Sequence, residues 1–202
     1  MMKNSLDSLL APALRKSIED NLGKVTMNKI EQRLMERHGM GVVQAIKEFS
    51  VLDSVLREFF GAGAEGLESR FIQNIIKLES SKKESDNWLI LKDQSLANVI
   101  IESFADQDKK AILELVMDES LSISDILDKC KIIQYSGNEK VNNLIDNGLL
   151  VSNDNLSDGE NSRKYQTAFS GVKMDIEKKS MIVKVQLKKI QLHESAILQV
   201  IQ

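Results

Sequence analysis

The stretch Val141-Asn-Asn-Leu-Ile-Asp-Asn-Gly-Leu-Leu150 decides how the fold of this 202-residue chain is interpreted. Its apolar side chains recur with helical spacing as far as Ile145. Gly148 then suits the left-handed backbone position that commonly follows a helix. The run Leu149-Leu-Val-Ser152 that comes next is typical of a short strand. The stretch therefore predicts a helix that passes through a glycine directly into a strand.

The neighbouring residues of the C-terminal half predict further short elements on both sides of this stretch. Ser122 and Asp125 resemble a capping box with aspartate in place of glutamate, so they indicate the start of a short helix. Residues 174–187 alternate with a period of two, which indicates a hairpin. The predicted order is a helix over 106–117, a short helix from Ser122, a helix over 136–146, a strand over 149–152, a polar loop over 153–162, a strand over 163–169 and the hairpin.

This order of elements resembles the ArsR/MarR-like group of winged helix-turn-helix regulators over about residues 106–189. Val141–Leu150 is similar to the end of a recognition helix and the first wing strand. Arg163-Lys-Tyr165 is similar to the opening of the second wing strand, whereas the hairpin over 174–189 is an addition to the minimal pattern. The resemblance implies a sequence-specific, DNA-binding transcriptional regulator.

The predicted recognition helix carries polar side chains that fit the edges of DNA bases. A helix fits the major groove of B-DNA, where asparagine and glutamine suit adenine and lysine suits guanine or phosphate. Arg163 and Lys164 lie beside the wing loop, from which they could reach phosphates or the minor groove. The candidate DNA-binding residues are Gln134, Tyr135, Ser136, Asn138, Lys140, Asn142, Asn143, Arg163 and Lys164.

The distribution of charge weakens the expectation of DNA binding. Residues 101–160 contain 13 acidic and 5 basic side chains, whereas residues 161–202 contain 8 basic and 3 acidic ones. Glu139 and Asp146 lie on or near the polar face of the recognition helix and would repel phosphate. Polar residues on one side of an amphipathic helix are also simply its solvated face. The alternative is a non-enzymatic adaptor whose winged helix binds another protein.

The first 80 residues predict a helical domain that dimerises, senses a signal or contacts a protein partner. Residues 24–78 loosely resemble helical output or sensory domains of archaeal regulators, through Glu31-Gln-Arg-Leu34, Gln44-Ala-Ile-Lys-Glu-Phe49 and Leu56–Leu67. A dimer would match a palindromic DNA site. The predicted helices are Ser5–Asn21, a helix capped by Thr26, Val42–Phe60 with a kink or break at Ser50, and Leu67–Leu78.

The expected organisation is mainly α with a small antiparallel β component. We divide it into a helical domain over 1–80, a linker and bridging helix over 81–105, and a winged helix-turn-helix domain with its C-terminal hairpin over 106–202. The polar run Glu79–Asn87 is the best linker. Trp88-Leu-Ile-Leu91 after it is compatible with a strand, and Leu96–Phe104 with a helix.

Several patterns resemble ligand-binding, metal-binding or catalytic motifs, but the residues around them argue against such a site. Gly61-Ala-Gly-Ala-Glu-Gly66 matches G-x-G-x-x-G, yet it follows a helix and not a strand, so we interpret it as a loop between helices. A weak anion site at the start of the Leu67 helix is the alternative. His38, His193 and Cys130 share no ligand spacing. We therefore predict no catalytic residue, no metal site and no cofactor.

The compartment follows from what the sequence contains. Cys130 is the single cysteine, which excludes an intrachain disulfide and fits a reducing cytosol. We expect no signal peptide, because Met1–Leu10 has no apolar core of sufficient length. We also expect no membrane span, since apolar runs of about 18 residues are missing. The chain is expected to be a cytoplasmic homodimer that binds double-stranded DNA.

Overall fold

A computed structural model describes residues 5–79, 87–153, 163–178, 180–188 and 195–201. The fold is mainly helical with a small antiparallel β component, as the sequence predicts. The N-terminal elements are α1 (Ser5–Leu22), α2 (Lys24–His38), α3 (Val42–Lys47), α4 (Phe49–Phe60), α5 (Ala64–Ile75) and strand β1 (Ile76–Glu79). They are followed by β2 (Trp88–Leu91), α6 (Gln94–Ala105), α7 (Gln107–Asp118), α8 (Ile123–Cys130) and α9 (Gln134–Asp146). The last elements are β3 (Leu150–Asn153), β4 (Lys164–Thr167), β5 (Phe169–Glu177), β6 (Ser180–Leu187) and α10 (Ala196–Gln199).

Two helix boundaries in the N-terminal part differ from the predictions. Gly23 and not Thr26 lies at the N-cap of α2, because the left-handed φ of 77° at Gly23 lets α2 follow α1 with a single residue between them. The expected break between residues 42 and 60 is confirmed, but it falls at Glu48 and not at Ser50. Glu48 leaves the helical region with φ −115° and ψ 62°, and so separates α3 from α4.

The glycine-rich segment Gly61–Gly66 is more helical than predicted. A short 3-10 turn over Gly61–Gly63 leads directly into α5, so Gly66 lies inside a helix and not in a loop. At its other end, α5 is shorter than the predicted helix Leu67–Leu78. This helix ends at Ile75, and the next four residues form β1, because they alternate between buried and exposed and pair with β2.

A four-stranded antiparallel sheet brings together segments that are distant in sequence. Its strand order is β1-β2-β6-β5, so the C-terminal hairpin β5–β6 pairs with the strand that begins at Trp88. Leu89 lies opposite Val185, and Val185 lies opposite Val172. The sheet therefore crosses both boundaries that the sequence suggested, since its strands come from all three predicted parts. The pair β3–β4 forms a separate two-stranded sheet.

The two ends of the chain are also packed together. The side chain of Asp7 in α1 is 1% exposed, and it accepts a hydrogen bond of 2.5 Å from Ser195 Oγ at the start of α10. Gly148 lies against the backbone of Leu9, so closely that an added Cβ would come within 2.5 Å of the Leu9 nitrogen. The apolar core consequently includes side chains from α1 through to α10. Among the described helices, none combines the length and the apolar character that crossing a membrane would require.

Candidate nucleic-acid interface

Helices α7 and α8 each begin with a side-chain cap. Asp106 accepts hydrogen bonds from the backbone N–H groups of Asp108 and Lys109 at 2.9 and 3.0 Å, which fixes the start of α7. Ser122 Oγ accepts from the N–H of Asp125 at 3.2 Å and donates to its carboxylate at 2.7 Å. The predicted pair of Ser122 and Asp125 therefore does begin α8. It differs from a full capping box, because the carboxylate binds the hydroxyl and not the backbone.

Helices α8 and α9 pack closely against each other across the short turn between them. Lys131 ends α8 with φ 54° and ψ 39°, a left-handed conformation that is uncommon for a residue with a side chain. Ile132 then donates its backbone N–H to Leu127 O at 3.0 Å. Gly137 in α9 is buried, and a Cβ placed on it would lie 2.4 Å from Leu127 Cδ2. The glycine thus permits the short distance between the two helices.

The two-stranded sheet β3–β4 is tied to the segment between α7 and α8. Leu150 pairs with Thr167 and Ser152 pairs with Tyr165 across the sheet. Leu121 exchanges two backbone hydrogen bonds with Tyr165, at 3.1 and 2.7 Å. This bridge holds the β4 strand beside the start of α8. The tip of the predicted wing, residues 154–162, lies outside the described residues.

A polar groove forms where the start of α8, the start of α9 and the strand β4 meet. Its volume is about 270 Å³. Gln134 and Asn138 lie one helical turn apart on α9 and form one wall, while Arg163 lies on the opposite side beside β4. The lining residues are Ser122, Ile123, Ser124, Leu127, Gln134, Asn138, Arg163 and Tyr165. Three of the nine predicted site residues therefore line one cavity.

Lys140, which the sequence predicts to contact guanine or phosphate, is held in this structure by carboxylates at the start of α7, and its contact with DNA stays a prediction. Its ammonium lies 2.9 Å from each oxygen of the Asp106 carboxylate and 2.8 Å from Asp108 Oδ2. These contacts raise the pKa of Lys140, while the hydrogen bonds from the Lys109 backbone and Lys140 lower the pKa of Asp106. The ion pairs join α9 to the start of α7 and neutralise the charge that was expected to face DNA.

The remaining predicted residues of α9 and β4 are exposed but are not brought together as one site. Tyr135 is 89% exposed, and Ser136 and Asn142 also face solvent. Asn143 Oδ1 accepts hydrogen bonds from Lys109 Nζ at 2.7 Å and Asn147 Nδ2 at 3.2 Å, which turns this amide towards α7. Lys164 is exposed on β4 and lies outside the groove.

The charges around the groove are mixed. Arg163 lies within it, whereas Glu139 and Asp146 are exposed on α9. Lys129 on α8 is paired with Glu119 at 2.7 Å, so its charge is partly neutralised. The positive rim from Lys140 to Lys164 that would most favour DNA is therefore interrupted at Lys140. The side chains that line the groove are polar or apolar without charge, except for the guanidinium of Arg163.

Sequence reasoning missed the contribution of α8 and of the wing strand to this site. Ser122 was recognised only as a cap, while Ser124 and Tyr165 were not considered as lining residues. The two serines could have been found from the run Ser122-Ile-Ser124, because the start of a helix brings side-chain hydroxyls close to backbone N–H groups that have no partner within the helix. Such a helix start favours negatively charged ligands such as phosphate. The sequence offers no such indication for Tyr165.

Cys130 lies at the end of α8, next to the apolar core. The Cys130 thiol is half-buried against the core, and burial raises its pKa, which disfavours the reactive thiolate. Within the described ranges, no three histidine, cysteine, aspartate or glutamate side chains are grouped closely enough to hold a metal ion. His193 lies outside those ranges.

No family model, curated protein or solved structure matches the chain.

Proposed function

We propose that this protein is a DNA-binding transcriptional regulator of the winged-helix type, in which α9 enters the major groove and Arg163 contacts the phosphate backbone. The observation that carries the proposal is the groove shared by α8, α9 and β4. It combines two amide side chains on the exposed start of a helix with hydroxyl groups at a second helix start and a guanidinium beside the wing. The amides and the guanidinium are groups that bind base edges and phosphates.

The arrangement assigns different tasks to the groove residues. Gln134 and Asn138 would form hydrogen bonds to base edges, most favourably adenine. No phosphate contact is assigned to Ser122 and Ser124, because their hydroxyls bind each other and the Asp125 carboxylate at the start of α8. Arg163 would bind a phosphate or enter the minor groove. Lys140 is not included, because its ammonium is held by Asp106 and Asp108.

A binding titration on DNA from the region upstream of the protein's own coding sequence tests these roles. Asn138→Ala should weaken specific binding by about 1–3 kcal/mol if Asn138 contacts a base. Arg163→Ala should weaken binding to all sequences and reduce the salt dependence by about one ion. Fluorescence anisotropy at several salt concentrations measures both effects.

Two matched substitutions control for surface changes that lie outside the groove. Asn98→Ala on α6 and Arg70→Ala on α5 remove the same side chains from other exposed helix positions. Both should leave affinity and salt dependence unchanged. If the wild-type chain retains no DNA even at low salt, or if the control variants lose as much affinity as the groove variants, the proposal is wrong.

A protein-binding adaptor is the second candidate, and it is favoured by two exposed apolar side chains at the turn before and within α9. Ile133 is 78% exposed and Tyr135 is 89% exposed. Aromatic and apolar groups of this kind are common at the centre of protein interfaces. The adaptor would lose a purified partner on Tyr135→Ser but not on Asn98→Ser, and neither the wild-type chain nor the variants would retain DNA.

The homodimer and the cytoplasmic location complete the proposal. A dimer would place two copies of the groove against a palindromic site. The N-terminal helices α1 to α5 would then carry the signal input or contact a further protein. Sedimentation with and without DNA tests the dimer separately from base recognition.

A further inference from the structure

Strand β5 forms one edge of the four-stranded sheet, and two of its apolar side chains are exposed. It is nine residues long, and among the described residues no strand pairs with its outer side. Ile176 is 83% exposed and Met174 is 37% exposed, as is Met181 across the hairpin. Proteins usually protect such an edge, because its free backbone groups and apolar side chains recruit another strand.

The direction of the backbone groups of β5 follows from the pairing of β6. The N–H of Leu187 donates to Asn87 O at 3.0 Å, on the β2 side of β6. Backbone groups alternate in direction along an antiparallel strand. The backbone N–H and C=O groups of Lys184 and Ile182 therefore point towards β5. There they form hydrogen bonds with Lys173 and Asp175, which lie opposite them. It follows that the N–H and C=O groups of Val172, Met174 and Ile176 point away from the sheet.

We propose that β5 pairs with β5 of a second copy of this chain, antiparallel and centred on Met174, so that two four-stranded sheets become one of eight strands. In this register Met174 faces Met174 of the other copy, and Val172 faces Ile176. Among the described residues, no strand lies beside the outward backbone groups of these three positions, so every pair can exchange two hydrogen bonds. The apolar side chains of all three lie on the face that contains the buried Val183 and Val185.

The charges on β5 favour a second copy over another strand and select the register. Centring on Met174 places Lys173 opposite Asp175 of the other copy, twice over because of the two-fold symmetry. Opposite charges that face each other across strands stabilise the pair. Centring on Asp175 would instead place two aspartates opposite each other. The Lys173 ammonium lies 4.2 Å from the Trp88 ring, on the β6 side of β5, so it would turn towards the edge to meet Asp175 of the other copy.

A charge exchange tests the interface in solution. Asp175→Lys should place lysine opposite Lys173 and weaken the dimer about tenfold or more, as measured by sedimentation equilibrium. Adding Lys173→Asp restores opposite charges and should recover most of the affinity. Asp20→Lys changes the charge equally on an exposed position of α1 and should have no effect. A monomeric wild-type chain, or a dimer unaffected by Asp175→Lys, overturns the proposal.

A crosslinking experiment tests the register independently of stability. In a Cys130→Ser background, Met174→Cys places two thiols opposite each other, at a Cα separation of about 5.5 Å that suits a disulfide. Ile176→Cys places its thiols about 13 Å apart or more along the strands. Mild oxidation should therefore crosslink the first variant and not the second. Crosslinking of the second alone would contradict the register. The proposal concerns association only, so it can stand or fail without DNA binding.

Discussion

Gly148 lies directly against the backbone of α1. Its φ of 72° is left-handed, and an added Cβ would lie 2.5 Å from the Leu9 nitrogen and 2.7 Å from the Leu9 Cα. These are backbone atoms of α1, so they cannot move as a side-chain tip can. The glycine that follows α9 therefore also allows α1 to pack closely against this end of the helix.

Gly148→Ala should destabilise the fold by about 2–4 kcal/mol, because the backbone strain and the clash add. Denaturant unfolding followed by circular dichroism measures the change. Gly66→Ala is the matched control, since Gly66 lies in α5 with nothing within 4 Å of its added Cβ. That control should be neutral or stabilising by about 0.5–1 kcal/mol. Equal behaviour of the two variants would show that the contact with Leu9 is absent.

Lys140 shows what local sequence information can and cannot determine about a site. Its place in a helix was predicted from the spacing of Val141 and Leu144. Gly137, three residues earlier, is buried, so Lys140 lies beside the buried side of α9. A glycine does not contribute to an apolar pattern, so the sequence alone did not show this. The partner Asp106 is 34 residues away, so this ion pair depends on how α7 packs against α9. Gln134 and Asn138, by contrast, lie on the exposed face of α9 that helical periodicity alone predicts.

The α8–α9 unit depends on the contact between Gly137 and Leu127. Gly137→Ala should cost about 1–3 kcal/mol, because the new methyl group would overlap Leu127 Cδ2 at 2.4 Å and press on Ile132 Cγ2 at 3.0 Å. In a Leu127→Ala background the same substitution should cost much less. A double-mutant cycle on unfolding free energies measures this coupling, which we expect at about 1 kcal/mol or more. Additive effects would mean that the two helices are further apart.

The elements most accurately predicted are those whose signals are local. Ser122, Gly148 and the apolar period of α9 fix their helices within a few residues. The strand β1 could not be found in this way, because Ile76–Glu79 also continues the helical spacing of Leu67 to Ile75. Its strand conformation depends on pairing with β2 across a segment that is remote in sequence. The pairing of β2 with β6 likewise joins segments that are remote in sequence, and the alternation of apolar residues alone did not reveal it.

In the part of the chain that the structure describes, Asp7 and Glu68 are buried carboxyl groups that make the stability of the protein depend on pH. Burial, opposed by the hydrogen bond from Ser195, raises the pKa of Asp7 from 3.8 to about 6. Burial, aided by the charge of Asp53, raises the pKa of Glu68 from 4.5 to about 7. Glu68 is 3% exposed, and its Oε1 has no hydrogen-bond partner among the described residues. Both groups favour the protonated form in the folded state.

Stability should consequently fall as the pH rises from about 4 to about 7. The folded state binds more protons than the unfolded state in this window, so these groups contribute fully below the unfolded pKa values and lose the contribution above the folded ones. For Asp7 the effect is on the order of 3 kcal/mol. Thermal unfolding across this range should show the fall in the wild-type chain and a flatter profile in Asp7→Asn with Glu68→Gln. A wild-type stability that rises between pH 4 and 7 would contradict the buried carboxyl groups.

We propose that the groove between α8, α9 and β4 recognises a DNA sequence. This is tested most directly by selection of genomic fragments with the purified 202-residue chain at low salt, followed by sequencing, with the Gln134→Ala and Asn138→Ala double variant in parallel. We expect the wild-type chain to enrich fragments with a common sequence and the double variant to bind without this preference. Retention of no fragment by the wild-type chain, or the same enriched sequence with both proteins, would contradict this proposal.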